Sequence, residues 1–468
     1  MFVKYCFKPC LFRSFSFLYT KESGRQPYKP LINFQKILNN VNAYEESIKA
    51  RNMPGVSFQK MRDLYSMYTE LDEKETNLLI KRLKSSSEQE KSAIFLELKD
   101  LKPKISSLEK ELYERFISLP NTISKYTPTG KDFSVIDDVK TSGKDLKTPQ
   151  HHSEIGKQLN IIRSDNLKHV SFSRTFYLTG AGALLSRALI RFTEDRLSKF
   201  NFVPFNVPNL LTPKAIEGCG LDPSGERNQV FKLDLNNLYM GDPICLAGTS
   251  EHALVSYFMG ARIPIQSLPL KLTSTSTCYR AEISQGQSSK GIYRVKQFDK
   301  VEMVGLASSF SESEKLFNEF IDFQREFVCD LQLPYRMIEI PAYDLGNSAH
   351  RKIDFEVWMP GRNEFGEISS CSNCTDYQSS RLHIRDSNKN TLFTVNGTAC
   401  AVPRIIISIL ENYQTADGCV GVPEVLQPYM NGVQVLTPDL FPQLNHITFS
   451  KLIFKKNNAY LYNRINNS

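Results

Sequence analysis

The chain has 468 residues, more than one hydrophobic core usually supports, so two folded domains plus tails are expected. A hydrophobic content of 41% fits a globular protein, and the absence of any run of about eighteen apolar residues excludes a membrane-spanning helix. Lys and Arg number 58 against 50 Asp and Glu, a formal charge of +8 that favours a polyanionic partner yet falls well short of a histone-like binder.

At the amino terminus, Lys4, Lys8, Arg13, Lys21, Arg25 and Lys29 stand against a single acid, Glu22. Lys4, Lys8, Pro9 and Arg13 interrupt the apolar core that a secretory signal needs, and the composition of residues 1–30 resembles an organellar presequence. Residues 31–120 form a helix-rich unit. Between about 57 and 119, Leu83, Leu96, Leu98, Leu101, Leu108 and Leu112 recur at mixed spacings, and Ser85, Ser86 and Ser87 interrupt the pattern. Glu88 and Glu90 then supply the acidic residues that a helix start favours, and the second segment stops at Leu119 and Pro120. An antiparallel helical hairpin is expected, with Pro103 kinking or opening its second helix. The alternative is a pair of helices packed flat on the body.

Residues 121–150 carry Pro128, Gly130, Gly143 and Pro149 among polar residues and read as a linker. Beyond His151, a helix around Ala183–Phe200 is followed by β-rich runs at Phe202–Val207, Ser267–Tyr279, Tyr293–Val304, Lys352–Met359 and Glu367–Ser372. A further helix runs over Cys400–Asn412. Without regular βαβ alternation this predicts an α+β domain over 151–432 with a mostly antiparallel sheet; residues 433–468 read as an irregular basic tail. The ten cysteines, among them Cys245, Cys329 and Cys400 in apolar stretches, read as reduced core residues. Cys371 and Cys374 form one C-x-x-C, a weak zinc or redox signal without a second pair. Gly180-Ala181-Gly182 looks like half a dinucleotide fingerprint, but it lacks the third glycine and the βαβ context, so it reads as a turn before a helix.

The strongest local signal is Cys278-Tyr279-Arg280-Ala281-Glu282, a polar loop, and then Gly291-Ile292-Tyr293-Arg294-Val295-Lys296-Gln297-Phe298-Asp299-Lys300-Val301-Glu302. Two strands around a loop form a hairpin that places Arg280 and Glu282 on one face. Arg280 offers a planar cation for a phosphate and Phe298 a surface for a purine; unbroken alternation would put Glu302 on Phe298's side. A hairpin whose Arg and Glu form surface salt bridges satisfies the same spacing.

This stretch resembles motif 2 of the class II aminoacyl-tRNA synthetases, and GIYRVKQFDKVEM is similar to the version in seryl-tRNA synthetases. Asn396–Arg404 followed by Glu411-Asn412-Tyr413-Gln414 resembles motif 3 of that family. Thr249-Ser250-Glu251 resembles its T-x-E serine loop, Glu367–Asn373 (EISSCSN) its ATP-site strand, and RKIDFEVWMPG from Arg351 is also family-like. The helix from about Gly182, ending near Pro208, is the looser counterpart of motif 1.

The resemblance implies that Arg280 holds the ATP α-phosphate and the serine carboxylate, that Glu282 reads the adenine amino group, and that Phe298 and Arg404 sandwich the adenine, with Arg404 also near the γ-phosphate. Val295, Ile368 and Ser369 would line the nucleotide, and Glu367 and Ser370 would hold Mg2+. Thr249, Glu251, Arg280, Glu302, Asn396 and Thr398 would form the serine pocket. It further implies a class II antiparallel sheet flanked by helices, an N-terminal tRNA-binding arm, and a homodimer built through motif 1. The implied reaction joins serine and ATP to seryl-adenylate and passes serine to tRNA(Ser), with Arg280 and Arg404 as the catalytic groups. With the presequence-like start, the implied location is the mitochondrial matrix; a cytosolic or plastid enzyme is the alternative. The family uses no zinc at Cys371 and Cys374. Lys296 stands where many members have His, on the face away from Val295. A synthetase-like paralogue that binds tRNA but has lost activation is the competing functional reading.

Overall fold

The computed structural model describes residues 30–53, 55–139, 148–164, 167, 171, 173–223, 229–233, 243–282 and 291–442. The presequence-like segment (except Pro30), the polar loop 283–290 and residues 443–468 lie outside them.

Two short helices, α1 (Phe34–Leu38) and α2 (Val41–Ala50), precede the helical hairpin of α3 (Phe58–Lys84) and α4 (Glu88–Ile117). Its ends follow from the serines. The Ser57 and Ser87 hydroxyls accept from the N–H of Lys60 (3.3 Å) and Glu90 (3.4 Å), while Glu88 and Glu90 open α4 and Lys81, Arg82 and Lys84 close α3, each charge complementing its helix dipole. Lys60–Glu111 (4.0 Å), Lys74–Glu97 (2.8 Å) and Lys81–Glu90 (3.3 Å) step along the pair in antiparallel register. Exposed as they are, such pairs contribute little to stability. Packing contributes more: Ile37, Val41, Ile48, Phe58, Met61, Leu112 and Phe116 form one buried cluster at the root, and Ile94, Leu98, Leu101 and Ile105 of α4 are buried farther along the pair. At the far end Leu83 is 86% and Leu96 62% exposed, so the tip does not lie flat on the body. Helix α4 runs through Pro103 as one element. Pro103 and Lys99 are both exposed, so the Lys99 carbonyl that loses its helical donor can be hydrated.

The body is built on a sheet of eight strands among the described residues: β1 (Ser134–Val139), β2 (Val203–Phe205), β3 (Leu270–Tyr279), β4 (Gln297–Ala307), β5 (Tyr335–Glu339), β6 (Arg351–Met359), β7 (Glu364–Thr375) and β8 (Phe393–Ala401). Their order across the sheet is β1-β5-β6-β7-β8-β4-β3-β2, antiparallel throughout except for the parallel β2–β3 pair. Three helices cover it: α5 (Gly180–Lys199), α6 (Phe310–Asp330) and α7 (Val402–Asn412). On α6 the side chains of Phe317, Phe320, Phe323 and Phe327 recur at helical spacing and are fully buried. Burial of each such side chain is worth about 1.5–3 kcal/mol. Ser309 caps α6 by accepting from Glu312 N–H (3.2 Å), and Glu312 reaches back to the Ser308 N–H (2.6 Å), a reciprocal pairing that closes the helix start. In α7, Ile405, Ile406, Ile407, Ile409 and Leu410 are buried on every side, as a helix enclosed between sheet and neighbours requires.

Several expectations change here. The supposed linker contributes the edge strand β1, paired with β5, and Asn121 is tied to Ser348, Cys374 and Thr375 by buried hydrogen bonds. Val435–Leu436 pairs with Val420–Gly421 and Leu436 is fully buried, so the described part of the supposed tail packs on the body. Cys329 lies exposed on α6, outside the core; Cys245, Cys371, Cys374 and Cys400 are buried, and burial pushes the Cys371 and Cys374 thiols far up. Gly180-Ala181-Gly182 is not a turn before the helix but the first turn of α5, and a Cβ on Gly182 would sit 2.6 Å from the Ile161 carbonyl oxygen.

Candidate active site

The ends of β3, β4, β7 and β8 and the start of α7 surround a cleft of about 230 Å3. All fourteen side chains singled out from the sequence line it: Thr249, Glu251, Arg280, Glu282, Val295, Phe298, Glu302, Glu367, Ile368, Ser369, Ser370, Asn396, Thr398 and Arg404. Strand pairing explains much of the convergence. Glu302 is opposite Ser274 on one side and Thr398 on the other, and Phe298 pairs with Cys278 on β3, so alternation along β4 carries Phe298, Lys300 and Glu302 to one face. In β7, a three-residue spacing would send Glu367 and Ser370 to opposite faces. A bulge at Ile368, where the register against β6 shifts between Phe355 and Glu356, removes that conflict.

One half of the cleft is cationic. Arg280 lies with its guanidinium 5.2 Å from the Phe298 ring centroid and its Nε 3.4 Å from the Gly248 carbonyl. Arg404 donates through Nη1 to the Glu367 backbone carbonyl (2.9 Å) and lies 3.2 Å from the Glu367 carboxylate. The ring beneath Arg404 is Tyr293, at 4.7 Å, while the cation over Phe298 is Arg280. Burial works against an ionised Glu367, but Lys352, Arg404 and Arg280 outweigh it and hold this carboxylate well below its ordinary range. Glu282 is buried at a left-handed backbone position (φ 46°), and its Oε2 has no hydrogen-bond partner among the described residues. The Arg294 and Arg174 guanidiniums stand 3.8 and 4.0 Å from it.

The other half is acidic. Glu251 accepts from Gln378 Nε2 (2.7 Å) and Asn396 Nδ2 (2.8 Å); burial, and next the Glu302 carboxylate, push it up to about 7. Glu302 is raised by burial against the opposing pull of Lys300 and Arg280. The Lys300 ammonium forms a buried ion pair with Glu302 and donates to Thr249 Oγ1 (2.8 Å), and Thr398 Oγ1 stands 3.5 Å from Glu302 Oε2.

Sequence reasoning missed Lys300, Lys352, Tyr293 and Arg294, which line the same cleft. Lys300 was legible, since it alternates with Phe298 and Glu302 on one strand face. Lys352 needed the β6–β7 pairing. Lys296 is not among the lining residues.

A cleft at the ends of an antiparallel sheet, with paired guanidiniums facing a carboxylate-lined recess, defines a class II synthetase core. Consistent with this, residues 231–413 match the family model described as the tRNA synthetase class II core domain (G, H, P, S and T). The chain is 37% identical over 420 residues to the mitochondrial serine–tRNA ligase of Bos taurus, covering 84% of this chain and 80% of that protein. It is 41% identical over 354 residues to the mitochondrial serine–tRNA ligase of Mus musculus, covering 74% and 68%. The seryl-tRNA synthetase of Pyrococcus horikoshii complexed with ATP superposes with a TM-score of 0.76 at 27% identity, covering 87% of this chain and all of that one. The chain belongs to the seryl-tRNA synthetase family.

Proposed function

We propose that this chain activates L-serine with ATP to seryl-adenylate and transfers serine to the 3′ end of mitochondrial tRNA(Ser), acting as a homodimer in the mitochondrial matrix. The observation that carries the reading is the joining, in one cleft, of the Arg280–Phe298–Arg404–Glu367 half to the Thr249–Glu251–Glu302–Thr398 recess. The test is serine-dependent exchange of pyrophosphate into ATP by the purified chain; no exchange above background would reject it. Retention of every charged ligand speaks against an inactive tRNA-binding paralogue.

The chemistry follows from charge. Serine's carboxylate must approach an α-phosphate, so two anions meet, and Arg280 is placed to neutralise both while Arg404 holds the triphosphate. Glu282, whose Oε2 has no hydrogen-bond partner among the described residues, is set to accept from the adenine amine, beside Phe298 and Val295. Ile368 and Ser369 shape the nucleotide floor. Glu367, kept ionised, and Ser370 offer oxygen donors alone, the set that a hard cation takes, so these residues would hold Mg2+, which supplies charge neutralisation on the phosphates. Glu251, steadied by Asn396, faces the substrate ammonium. Glu302 and Thr398 face its hydroxyl.

A pH dependence follows from Glu251. Its raised pKa leaves it protonated below about pH 7, and a neutral acid holds an ammonium poorly. The serine KM in the exchange reaction is expected to rise about tenfold per pH unit below that point, with the ATP KM far less affected. Equal serine KM values at pH 6 and pH 8 would count against Glu251 as the ammonium partner.

The domain reading assigns residues 31–120 to tRNA binding and residues 151–432 to activation. Replacing the distal arm, residues 69–106, with a short glycine turn keeps the buried root. Exchange should stay within about threefold, whereas tRNA charging should fall about a hundredfold, because RNA affinity sums many phosphate and shape contacts. Undiminished charging would refute the arm's role. The dimer reading draws on the half-exposed Val203 and Leu210 that follow α5, the first of them on edge strand β2; light scattering at the 53.5 kDa mass of one chain would reject it. The matrix location rests on the basic amino terminus and the mitochondrial relatives, and a cytosolic reporter fused to residues 1–35 would contradict it.

A further inference from the structure

Behind the nucleotide half of the cleft lies a buried polar cluster that the reaction as described does not use. His152 is fully buried; its Nδ1 lies 2.7 Å from Glu411 Oε1, and its Nε2 accepts from the Ile292 backbone N–H at 3.3 Å. Since Nε2 is an acceptor, Nδ1 carries the proton and donates to Glu411. With both ring nitrogens engaged, His152 has no lone pair left for a metal, although His151, His152 and Glu411 stand close together. The second carboxylate oxygen of Glu411 accepts from the Arg362 backbone N–H at 3.1 Å. Gly291 completes the fit, for its φ of 74° favours glycine and a Cβ there would lie 2.0 Å from His152 Nε2.

These contacts converge on one ring. Tyr293 directly follows Ile292, and the Arg362 guanidinium, only 6% exposed, lies 3.8 Å from its ring centroid. The Arg404 guanidinium lies 4.7 Å from the same centroid, and the Tyr293 hydroxyl reaches the Glu367 carbonyl (3.5 Å) that also accepts from Arg404. Arg404 is therefore held by the Glu367 carbonyl, the Glu367 carboxylate and the Tyr293 ring. A guanidinium is attracted to a desolvated aromatic face, and its long side chain otherwise samples many rotamers. We propose that Tyr293 is a positioning residue for Arg404, its ring supporting the guanidinium while the His152–Glu411–Arg362 cluster fixes the ring. This rests on Arg404 being a nucleotide ligand.

The test compares Tyr293→Phe, Tyr293→Leu, Arg404→Met and the Leu/Met double variant of the full chain in pyrophosphate exchange, with melting followed for each. Tyr293→Leu is expected to raise the ATP KM about tenfold and leave the serine KM within twofold. Tyr293→Phe keeps the ring and should return the ATP KM to within threefold of the parent. The double variant should be no worse for ATP than Arg404→Met, because the ring acts through that arginine. Multiplied losses in the double variant, or equal rises in both KM values for Tyr293→Leu, would overturn the proposal. An unchanged ATP KM in Arg404→Met would instead remove the nucleotide assignment beneath it. If the leucine variant does not fold, Tyr293→Met, closer in volume, takes its place under the same criteria.

Discussion

Replacing Arg280 with methionine is expected to lower serine-dependent pyrophosphate exchange about a thousandfold while leaving the fold intact. Arg280 directly follows β3 and is partly open, with Gly248 and Phe298 as close contacts; Glu367 keeps Lys352 and Arg404, and Glu302 keeps Lys300, as stronger cationic partners when Arg280 is lost. Removing one preorganised donor from a developing anion costs about 10²–10³ in rate, and Arg280 is read as serving both the carboxylate and the phosphate. Arg280→Lys keeps a charge but loses the planar fork, so a loss of about a hundredfold is expected there too. Exchange kinetics with a melting curve for each variant decide the matter. Activity within tenfold of the parent for Arg280→Met would show that this guanidinium does not bridge the two anions.

For Glu302→Ala, the efficiency for serine should fall by about two orders of magnitude or more, while that for alanine changes far less. A site built to hydrogen-bond a hydroxyl rejects an analogue without one, since buried polar groups left unpaired cost about 1–3 kcal/mol each. Two such losses approach about 3 kcal/mol, which is the hundredfold expected. Threonine must be excluded by the size of the recess instead. The competing explanation, that Glu302 only pairs with Lys300, has a real contact behind it, because that buried ion pair exists. Lys300→Met separates the two. If the pair is all that matters, Lys300→Met and Glu302→Ala will damage the enzyme alike without moving the serine-to-alanine ratio. If Glu302 reads the hydroxyl, only its own removal will collapse that ratio.

What the sequence could reveal depended on how local each signal was. The hairpin arm was legible because the serine break and the acidic first turn of α4 are properties of a few consecutive residues. Its root was not, since α1 and α2 acquire their place only by burying Ile37, Val41 and Ile48 against Phe58 and Phe116. Helix α6 was overlooked despite a plain periodicity in Phe317, Phe320 and Phe327. Strand β8 was harder to find: Asn396 and Gly397 are weak strand formers, held extended by β7 and β4 on either side. Strand β1, with Asp137 and Asp138, resembles linker by composition and becomes a strand only because β5 presents an unpaired edge.

The same division runs through the cleft. By itself the sequence picked out side chains that line one cleft, because Arg280, Glu282, Phe298, Glu302, Glu367 and Arg404 sit in short segments whose residue types and order are specific. Only the tertiary structure decided how they act together. The bulge at Ile368 turns Glu367 and Ser370 toward one side, Lys352 crosses from β6 to hold Glu367 ionised, Lys300 meets Glu302, and Tyr293 comes to lie under Arg404. The physical reason is that charge, burial and orientation at a site are sums over neighbours in space, and those neighbours come from strands and helices far apart in the chain.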